Sequence, residues 1–365
     1  MTDYTPDDHR FMTQALRLAE QGLYTSMPNP RVGCVVVKEG VVVGSGAHLK
    51  AGAPHAEVLA LLQAGLLARA ATVYVTLEPC SHHGRTPPCA DALIKAGVAK
   101  VVIAMQDPNS LVSGQGIAAL KAAGISVFTG LMQQQAHDLN IGFITRMTLK
   151  KPFVRSKIAA SLDGQTALSN GASQWITSAA ARRDVQHWRA RSCAVLTGIG
   201  TVLQDNPSLT VREFSMDRQP LSVVVDSQLR IPLDAKLLNN PHVLIAYAHD
   251  TQQKATQFSK MGIALIRIPD NSGKVCLHTL LKHLASNQMN EVMVEGGEGL
   301  NGALMALNCI DELLLYYAPK LMGSDAKGMF ALPALQSMQA VIPLVIKEVR
   351  QLGDDVRVIA RCMNV

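Results

Sequence analysis

The sequence predicts two α/β domains in tandem, the second built on a mixed β-sheet. Three observations carry this. In the first half, apolar runs of strand length alternate with stretches of helical spacing, the pattern of layered α/β structure. In the second half, strand-length runs recur between turn signals. They close with Val345–Arg350 and Val356–Arg361 around Gly353-Asp354-Asp355, an antiparallel hairpin. Between the halves, Gly142–Pro152 reads as a linker, and its Lys150-Lys151-Pro152 breaks the pattern. The boundary therefore falls between 147 and 151, giving domains at 1–148 and 149–365. A chain of 365 residues suits two domains of ordinary size.

In the first half, Asp7–Gly22 has helical spacing through Phe11, Leu16 and Leu18, and Gly22 is a stop signal. Pro28-Asn29-Pro30 is a rigid loop. Val32–Val37 reads as a buried strand, Lys38-Glu39-Gly40 as a turn, and Val41–Gly46 as the returning strand. A helix opens behind Pro54, and a strand spans Thr72–Leu77. Helices at Cys89 and Gly116–Ala123 and strands at Lys100–Met105 and Ser126–Thr129 complete the domain.

The chemistry concentrates between Gly52 and Cys89. His55, Glu57, Cys80 and Cys89 occur in the order and context of a zinc deaminase. Three protein ligands, His55, Cys80 and Cys89, leave the fourth tetrahedral position of Zn²⁺ for water, as catalysis requires. Glu57 is the general acid/base and not a ligand. Within a helix, positions i and i+2 diverge by roughly 200°. His55 and Glu57 converge only if His55 stands at the helix start, where Pro54 places it. Cys89 follows Pro87-Pro88 and opens another helix, where the positive dipole end favours a thiolate. His82 and His83 are spare imidazoles beside this set. Arg85 with Thr86 suits a substrate phosphate, because a guanidinium presents paired donors. The spacing departs from the general deaminase signature: eight residues, not two, separate the cysteines.

That departure points to a family. Pro28-Asn29-Pro30-Arg31-Val32-Gly33, His55-Ala56-Glu57 and the run from Glu78-Pro79-Cys80 through Ser81-His82-His83-Gly84-Arg85-Thr86-Pro87-Pro88-Cys89 closely resemble the bifunctional riboflavin-biosynthesis deaminase–reductases. The resemblance extends over nearly the whole chain. It implies a cytidine-deaminase-like α/β/α domain followed by a dihydrofolate-reductase-like mixed-sheet domain. The first would deaminate 2,5-diamino-6-(5-phosphoribosylamino)pyrimidin-4-one. The second would reduce the ribosyl group of the product to ribityl with NADPH. Asn29, otherwise a turn former, becomes a substrate contact, and His48 helps hold the pyrimidine. The family also implies a homo-oligomer, dimer or tetramer.

In the second half, strands are expected at Phe153–Ala160, Ala194–Thr197, Leu221–Asp226, Val243–Ala248, Ile263–Ile268, Asn290–Glu295 and Asp311–Ala318. Helices are expected from Ser178 through Arg189 and over Leu300–Leu307. Gly296-Gly297-Glu298-Gly299, between a strand and a helix, reads as a tight turn or as backbone brought up to a pyrophosphate. By resemblance, the cofactor residues are Ala159, Trp175, Thr201, Asp205, Ser227 and the segment Gly297, Glu298, Gly299, Leu300, Asn301, Gly302 and Ala303. The substrate residues are Lys157, Ser173, Arg189, Leu209, Arg212 and Glu295. Arg189 and Arg212 have the charge to clamp a ribose 5-phosphate; a solvated helix face is the plainer reading of Arg189. Lys157 is a cleft residue or a snorkelling lysine, and Trp175 a cofactor wall or core. Asp205 is a candidate proton source.

Composition narrows the classes. Apolar residues make up 48% of the chain, which supports packed cores. No apolar run is long enough to span a bilayer, and the acidic amino terminus lacks a secretory pattern. A cytoplasmic enzyme is expected. Seven scattered cysteines do not suggest a disulfide framework. The net charge of +6 suits small phosphorylated ligands. Aromatics, at 4%, are too few for interleaved base-stacking platforms. The rival reading, a nucleic-acid or nucleoside deaminase with a non-catalytic second half, needs a basic, aromatic-rich surface.

Overall fold

The chain divides into two units, Met1–Lys150 and Lys151–Val365, in a computed structural model that describes residues 4–81, 88–109 and 112–363. The first unit opens with α1 (Pro6–Glu20), which starts at a reciprocal cap. Asp8 N donates to Thr5 Oγ1 at 3.1 Å and Thr5 N donates to the Asp8 carboxylate at 2.9 Å, so two orphan amides are satisfied at once. Strands β1 (Gly33–Lys38) and β2 (Val41–Ala47) form the expected hairpin. Its turn residues Glu39 and Gly40 both have positive φ, +51° and +78°, matching the twist of the paired strands.

The rest of the unit is α2 (Ala56–Ala64), β3 (Thr72–Val75), α3 (Cys89–Ala96), β4 (Lys100–Ile103), α4 (Gln115–Ala122), β5 (Ser126–Thr129), α5 (Gln133–Leu139) and α6 (Ile141–Leu149). The sheet order is β2-β1-β3-β4-β5, with β1 antiparallel to both neighbours and β3, β4 and β5 parallel. Cys34, Val35, Val36, Val73 and Val101 are fully buried in its core. Two glycines let helices close on the sheet. A Cβ on Gly33 would lie 1.9 Å from the Ala15 carbonyl oxygen of α1, and one on Gly44 would lie 2.1 Å from that of Ala60 in α2. One expectation fails here. The stretch from Gly142 to Leu149, read as a linker, is the body of α6, with Ile141, Gly142, Phe143 and Thr145 buried. Asn140 anchors its start by exchanging two hydrogen bonds, of 2.8 and 2.9 Å, with the Arg31 backbone.

The second unit comprises β6 (Phe153–Ser161), α7 (Ala179–Arg191), β7 (Ala194–Gly198), α8 (Ile199–Asp205), β8 (Leu221–Val225), β9 (Val243–Tyr247), α9 (Ala255–Lys260), β10 (Ala264–Arg267), α10 (Leu277–Ser286), β11 (Glu291–Val294), α11 (Glu298–Ala306), β12 (Glu312–Ala318), β13 (Leu344–Leu352) and β14 (Asp355–Cys362). Among the described residues they form a nine-stranded sheet in the order β10-β9-β8-β7-β11-β6-β12-β14-β13. All pairs are parallel except those made by β14, so the sheet is mixed, and the terminal hairpin closes it as the sequence predicts. Helices α8, α9 and α10 are additions to the sequence reading.

The centre of this sheet is charged. The Arg155 guanidinium, fully buried on β6, donates to Glu312 at 2.6 Å and Glu291 at 3.1 Å on the two flanking strands. Arg191 reaches the same Glu291 at 2.8 Å, and the Trp188 ring stacks 4.7 Å from the Arg155 guanidinium. Each buried charge thus has a hydrogen-bonded partner of opposite sign, the condition for tolerating it there.

Candidate functional site

In the first unit, His55 is the residue immediately before α2, with extended backbone (φ −73°, ψ 160°). Ahead of the helix turn, its ring is freed from the 100° step between helical neighbours, so it can meet Glu57 and the thiols. Cys89 begins α3, and its backbone amide donates to Cys80 Sγ at 3.3 Å. His55 Nδ1 lies 3.2 Å from Cys89 Sγ and 3.7 Å from Cys80 Sγ. All three ligand atoms fall within 4.8 Å of one another. A tetrahedral ion with bonds of about 2.0 Å to nitrogen and about 2.3 Å to sulfur needs N···S separations of about 3.5 Å. The observed pair brackets that value. One ring nitrogen and two thiols suit Zn²⁺, and three ligands leave a fourth position open.

The electrostatics agree with a metal site. The Cys89 thiol, helped by the Cys89 amide and the His55 ring, pulls Cys80 down to about 4 against its burial. The hydrogen bond to Cys80, with burial added, pushes Cys89 far up. The hydrogen bond to Cys80 raises His55. Glu57 is 4% exposed, and burial, reinforced by the Cys80 charge, lifts its carboxyl to about 6. A cation bound beside it would lower that value. A proton shuttle works best when its pKa lies near the working pH.

Asn29 and His48 meet at the same mouth. Asn29 Nδ2 sits 3.0 Å from His48 Nε2, and His48 Nδ1 sits 3.2 Å from the Pro54 carbonyl oxygen. That oxygen only accepts, so Nδ1 carries the ring proton and Nε2 accepts from Asn29. Burial lowers the His48 pKa, and the neighbouring His55 adds to the effect, which keeps the ring neutral. Asn29 Oδ1 is thereby turned out as an acceptor. Arg85 and Thr86, the expected phosphate ligands, and the imidazoles of His82 and His83 lie outside the described residues.

Glu78 carries a duty the sequence did not announce. Its carboxylate accepts from the amides of Asp107 and Gly114 through Oε2 and of Gly116 and Ile117 through Oε1, at 3.0–3.2 Å. It is 3% exposed and two residues from Cys80. A Cβ on Gly116 would lie 2.0 Å from the Pro79 carbonyl oxygen, so the start of α4 presses on the metal-binding segment. The Glu78-Pro79-Cys80 run holds the hint, because a carboxylate next to a ligand strand often satisfies amides behind it.

In the second unit, Lys157, Ser173, Arg189, Asp205 and Glu295 come together. Arg189 Nε and Nη2 donate to the two Glu295 oxygens at 2.6 and 2.9 Å, and Nη1 donates to the Thr210 carbonyl at 2.9 Å. Burial alone would raise Glu295; Arg189, with Lys157 and Arg212 further off, holds it at about 2. Burial lowers the pKa of the Lys157 ammonium, Arg189 reinforces this, and Glu295 and Asp205 oppose it. Ser173 Oγ donates to Asp205 at 3.2 Å. Three Arg189 N–H groups are thereby engaged, which ties the guanidinium to Glu295. Arg212, exposed and tethered only by its backbone amide to Gln186 Oε1 at 3.0 Å, keeps its guanidinium available. Leu209 is buried with φ +56° and shapes the loop beneath.

The cofactor candidates spread along the carboxyl ends of the parallel strands. Ala159 lies on β6, Thr201 and Asp205 on α8, and Ser227 just beyond β8. Gly297 caps α11 without a side chain, so the first amides of the helix point outward. Cβ atoms on Gly297 or Gly299 would meet nothing within 4 Å; the glycines keep open a space that side chains would occupy. Glu298 and Leu300 lie in the same turn, and Leu300 packs beside Gly198. Asn301 instead turns inward, accepting from Ser156 Oγ at 3.1 Å and donating to the Gly296 carbonyl at 3.0 Å. A Cβ on Gly302 would strike the Ala331 carbonyl, and Ala303 is exposed. Trp175 is 65% exposed, with the Arg182 guanidinium 4.6 Å over its ring, so it is not a core residue.

Residues 5–105 match the family model of the cytidine and deoxycytidylate deaminase zinc-binding region, and residues 152–358 match that of the RibD C-terminal domain. The riboflavin biosynthesis protein RibD of Escherichia coli (strain K12) is 47% identical over 361 residues, 96% of this chain and 98% of that protein. Its Haemophilus influenzae counterpart is 44% identical over 369 residues, 98% of each. Among solved structures, Acinetobacter baumannii RibD, form 1, has a TM-score of 0.91 at 44% identity, covering 98% of this chain and 99% of that one. A diaminohydroxyphosphoribosylaminopyrimidine deaminase/5-amino-6-(5-phosphoribosylamino)uracil reductase of Thermotoga maritima has a TM-score of 0.86 at 33% identity, with the same coverage.

Proposed function

The chain belongs to the RibD family, and on that footing we propose how its residues divide the work. It is a bifunctional enzyme of riboflavin biosynthesis with a cytidine-deaminase-like first unit and a dihydrofolate-reductase-like second unit. It hydrolytically deaminates 2,5-diamino-6-(5-phosphoribosylamino)pyrimidin-4-one, then reduces the ribosyl group of the product to ribityl. Its cofactors are zinc and NADPH. The family assignment decides against a nucleic-acid deaminase with an inert second half.

Residues 1–148 act as the deaminase and 149–365 as the reductase. His55, Cys80 and Cys89 would hold the zinc, which when bound would make hydroxide available near neutral pH. Glu57 is the proton carrier, taking a proton from the attacking water and returning it to the departing amine, a role suited to a buried carboxyl that titrates near 6. Asn29 Oδ1 accepts from an amino group of the pyrimidine, and neutral His48 fixes the amide in that orientation. Arg85 and Thr86 receive the ribose 5-phosphate.

NADPH supplies hydride when bound. The backbone at Gly297 and Gly299 receives its pyrophosphate, with Thr201, Asp205, Ser227 and Trp175 along its length. Lys157 and Glu295 face the ribose, and Arg212 meets the substrate phosphate. Arg189 positions Glu295.

A homo-oligomer is part of the proposal, and the β13 edge supports it. Residues 344–351 of this strand are all exposed, including Ile346 and Val349 at 64% and 61%. An unpaired apolar edge of this length is an aggregation hazard unless another strand covers it. Antiparallel pairing with a second copy about the Lys347–Glu348 centre would set opposite charges face to face. Among the described residues, no helix is long and apolar enough to cross a membrane. A cytoplasmic place suits the cysteines, none of which forms a disulfide among the described residues.

The observation that carries the deaminase reading is the meeting of His55, Cys80, Cys89 and buried Glu57 from three separate elements. Zinc analysis of the purified chain, with ammonia release measured on the diaminopyrimidine, tests it. Stoichiometric zinc and ammonia are expected; a zinc-free chain that deaminates at full rate would overturn it.

A further inference from the structure

Residues 206–220, between α8 and β8, form no helix or strand. An irregular segment longer than about 12 residues within a compact unit is usually functional. Its middle alternates as a strand does: Leu209 and Val211 are buried, at 1% and 4%, and Arg212 is exposed. Side chains grip three consecutive residues there. Arg189 Nη1 donates to the Thr210 carbonyl at 2.9 Å. Gln219 exchanges two bonds with Val211: its Oε1 accepts from Val211 N at 2.8 Å, and its Nε2 donates to the Val211 carbonyl at 3.1 Å. The Gln219 amide thus supplies the pair of bonds that an antiparallel neighbour strand would. Gln186 Oε1 accepts from Arg212 N at 3.0 Å. Upstream, Asn240 Nδ2 donates to the Ser208 carbonyl at 2.6 Å.

We propose that Gln186 and Gln219 are positioning residues of the reductase: they fix the backbone at 210–212 so that the Arg212 guanidinium is presented to the substrate's 5′-phosphate. The inference rests on the reading of Arg212 as that phosphate's partner. Both glutamines bond the loop through its backbone, which leaves the Arg212 side chain outside the clamp. Gln186 stands three residues before Arg189 on α7, so the two side chains leave the same helix face. Arg189 also donates to the two Glu295 oxygens, at 2.6 and 2.9 Å. One guanidinium therefore ties the loop to the carboxylate that faces the ribose. A ribose 5-phosphate has a limited span from its anomeric carbon to its phosphorus. A protein that reacts at one end and binds the other must hold its two contact groups at a matching separation. An arginine on an unpinned loop would first have to be ordered, at a cost to affinity. Gln186 is 6% exposed, so its bond to the Arg212 amide is shielded from water.

The test is the preference of the full chain for the deaminated product over its dephosphorylated form, read as the ratio of the two kcat/KM values in NADPH oxidation. R212A should lower that ratio by about tenfold or more, the worth of a charge-assisted pair. Q219M and Q186M, close in size but unable to make these bonds, should each lower it by about threefold or more. In the R212A background, adding Q219M should change the ratio by less than about twofold, since the glutamine acts only through the arginine. Thermal melts show whether Q186M folds; Gln219 is partly exposed, so Q219M decides the matter if it does not. If Q219M leaves the native ratio, or lowers it as far in the R212A background as alone, the glutamines do not position Arg212. If R212A itself keeps the native ratio, Arg212 is not the phosphate's partner, and the reading beneath this inference fails first.

Discussion

His55 Nδ1 lies 3.2 Å from Cys89 Sγ across 34 residues of chain, because each residue stands at the start of its own helix. The contact positions the site's imidazole ligand against a thiol that needs a cation to give up its proton. Substituting Cys89→Ser should therefore remove bound zinc and ammonia release together. NADPH oxidation with the deaminated product should continue, since the second unit has its own core. Metal analysis beside the two assays checks this; retained zinc in the variant would contradict the ligand assignment.

Glu78 satisfies four backbone amides at once. Glu78→Ala leaves them unpaired in a buried setting, where each such loss costs about 1–3 kcal/mol. The expected outcome is a first unit destabilised by about 3 kcal/mol or more, with less zinc bound per chain. Urea unfolding and zinc content measure it. A native midpoint would show that the backbone at Asp107 and Gly114 and the start of α4 do not depend on this carboxylate.

The Arg189–Glu295 pair makes stability depend on pH with a definite sign. Glu295 is held at about 2 in the folded unit, below its ordinary 4.5. Its contribution is complete above pH 4.5 and is lost as pH falls through that value toward 2. Glu295→Gln strands a buried guanidinium and should cost roughly 3 kcal/mol at neutral pH. Between pH 5 and 3 the variant should lose less stability than the native chain. Equal slopes in urea midpoint against pH would refute this.

Gly33 tests the close approach of α1 to β1. An added methyl would lie 1.9 Å from the Ala15 carbonyl oxygen, and backbone cannot yield as a side-chain tip can. Gly33→Ala should destabilise the first unit by about 1–3 kcal/mol, the usual cost of overpacking, while the reductase is unaffected. A thermal melt of the full chain reads the shift.

The parts of this molecule that announce themselves in sequence are those whose partners are local or whose residue types are scarce. Pro54 before His55 fixes a helix start, so the placement of Glu57 could be derived. The alternation of Val, Ile and Leu runs with helical stretches reveals both sheets. Partners far along the chain are silent. Arg155 finds Glu291 and Glu312 at separations of 136 and 157 residues, and nothing near Arg155 marks it as buried. Arg189 looked like a free cation because Glu295 is 106 residues away. Helix α6 looked like a linker because Gly142 and Lys150-Lys151-Pro152 are breaker signals. The burial of Ile141 and Phe143 and the Asn140–Arg31 bonds override them. Helix α10 was readable, since Leu277, Leu280, Leu281 and Leu284 recur at helical spacing.

The most direct test of two chemistries on one chain is a paired assay of Glu57→Gln, following ammonia and NADPH separately. The variant should keep its zinc and lose deamination by about 10²–10⁴-fold, the usual contribution of a general acid/base. It should still oxidise NADPH at the native rate when given the deaminated product. Deamination by a zinc-loaded Glu57→Gln protein at the native rate would contradict the account.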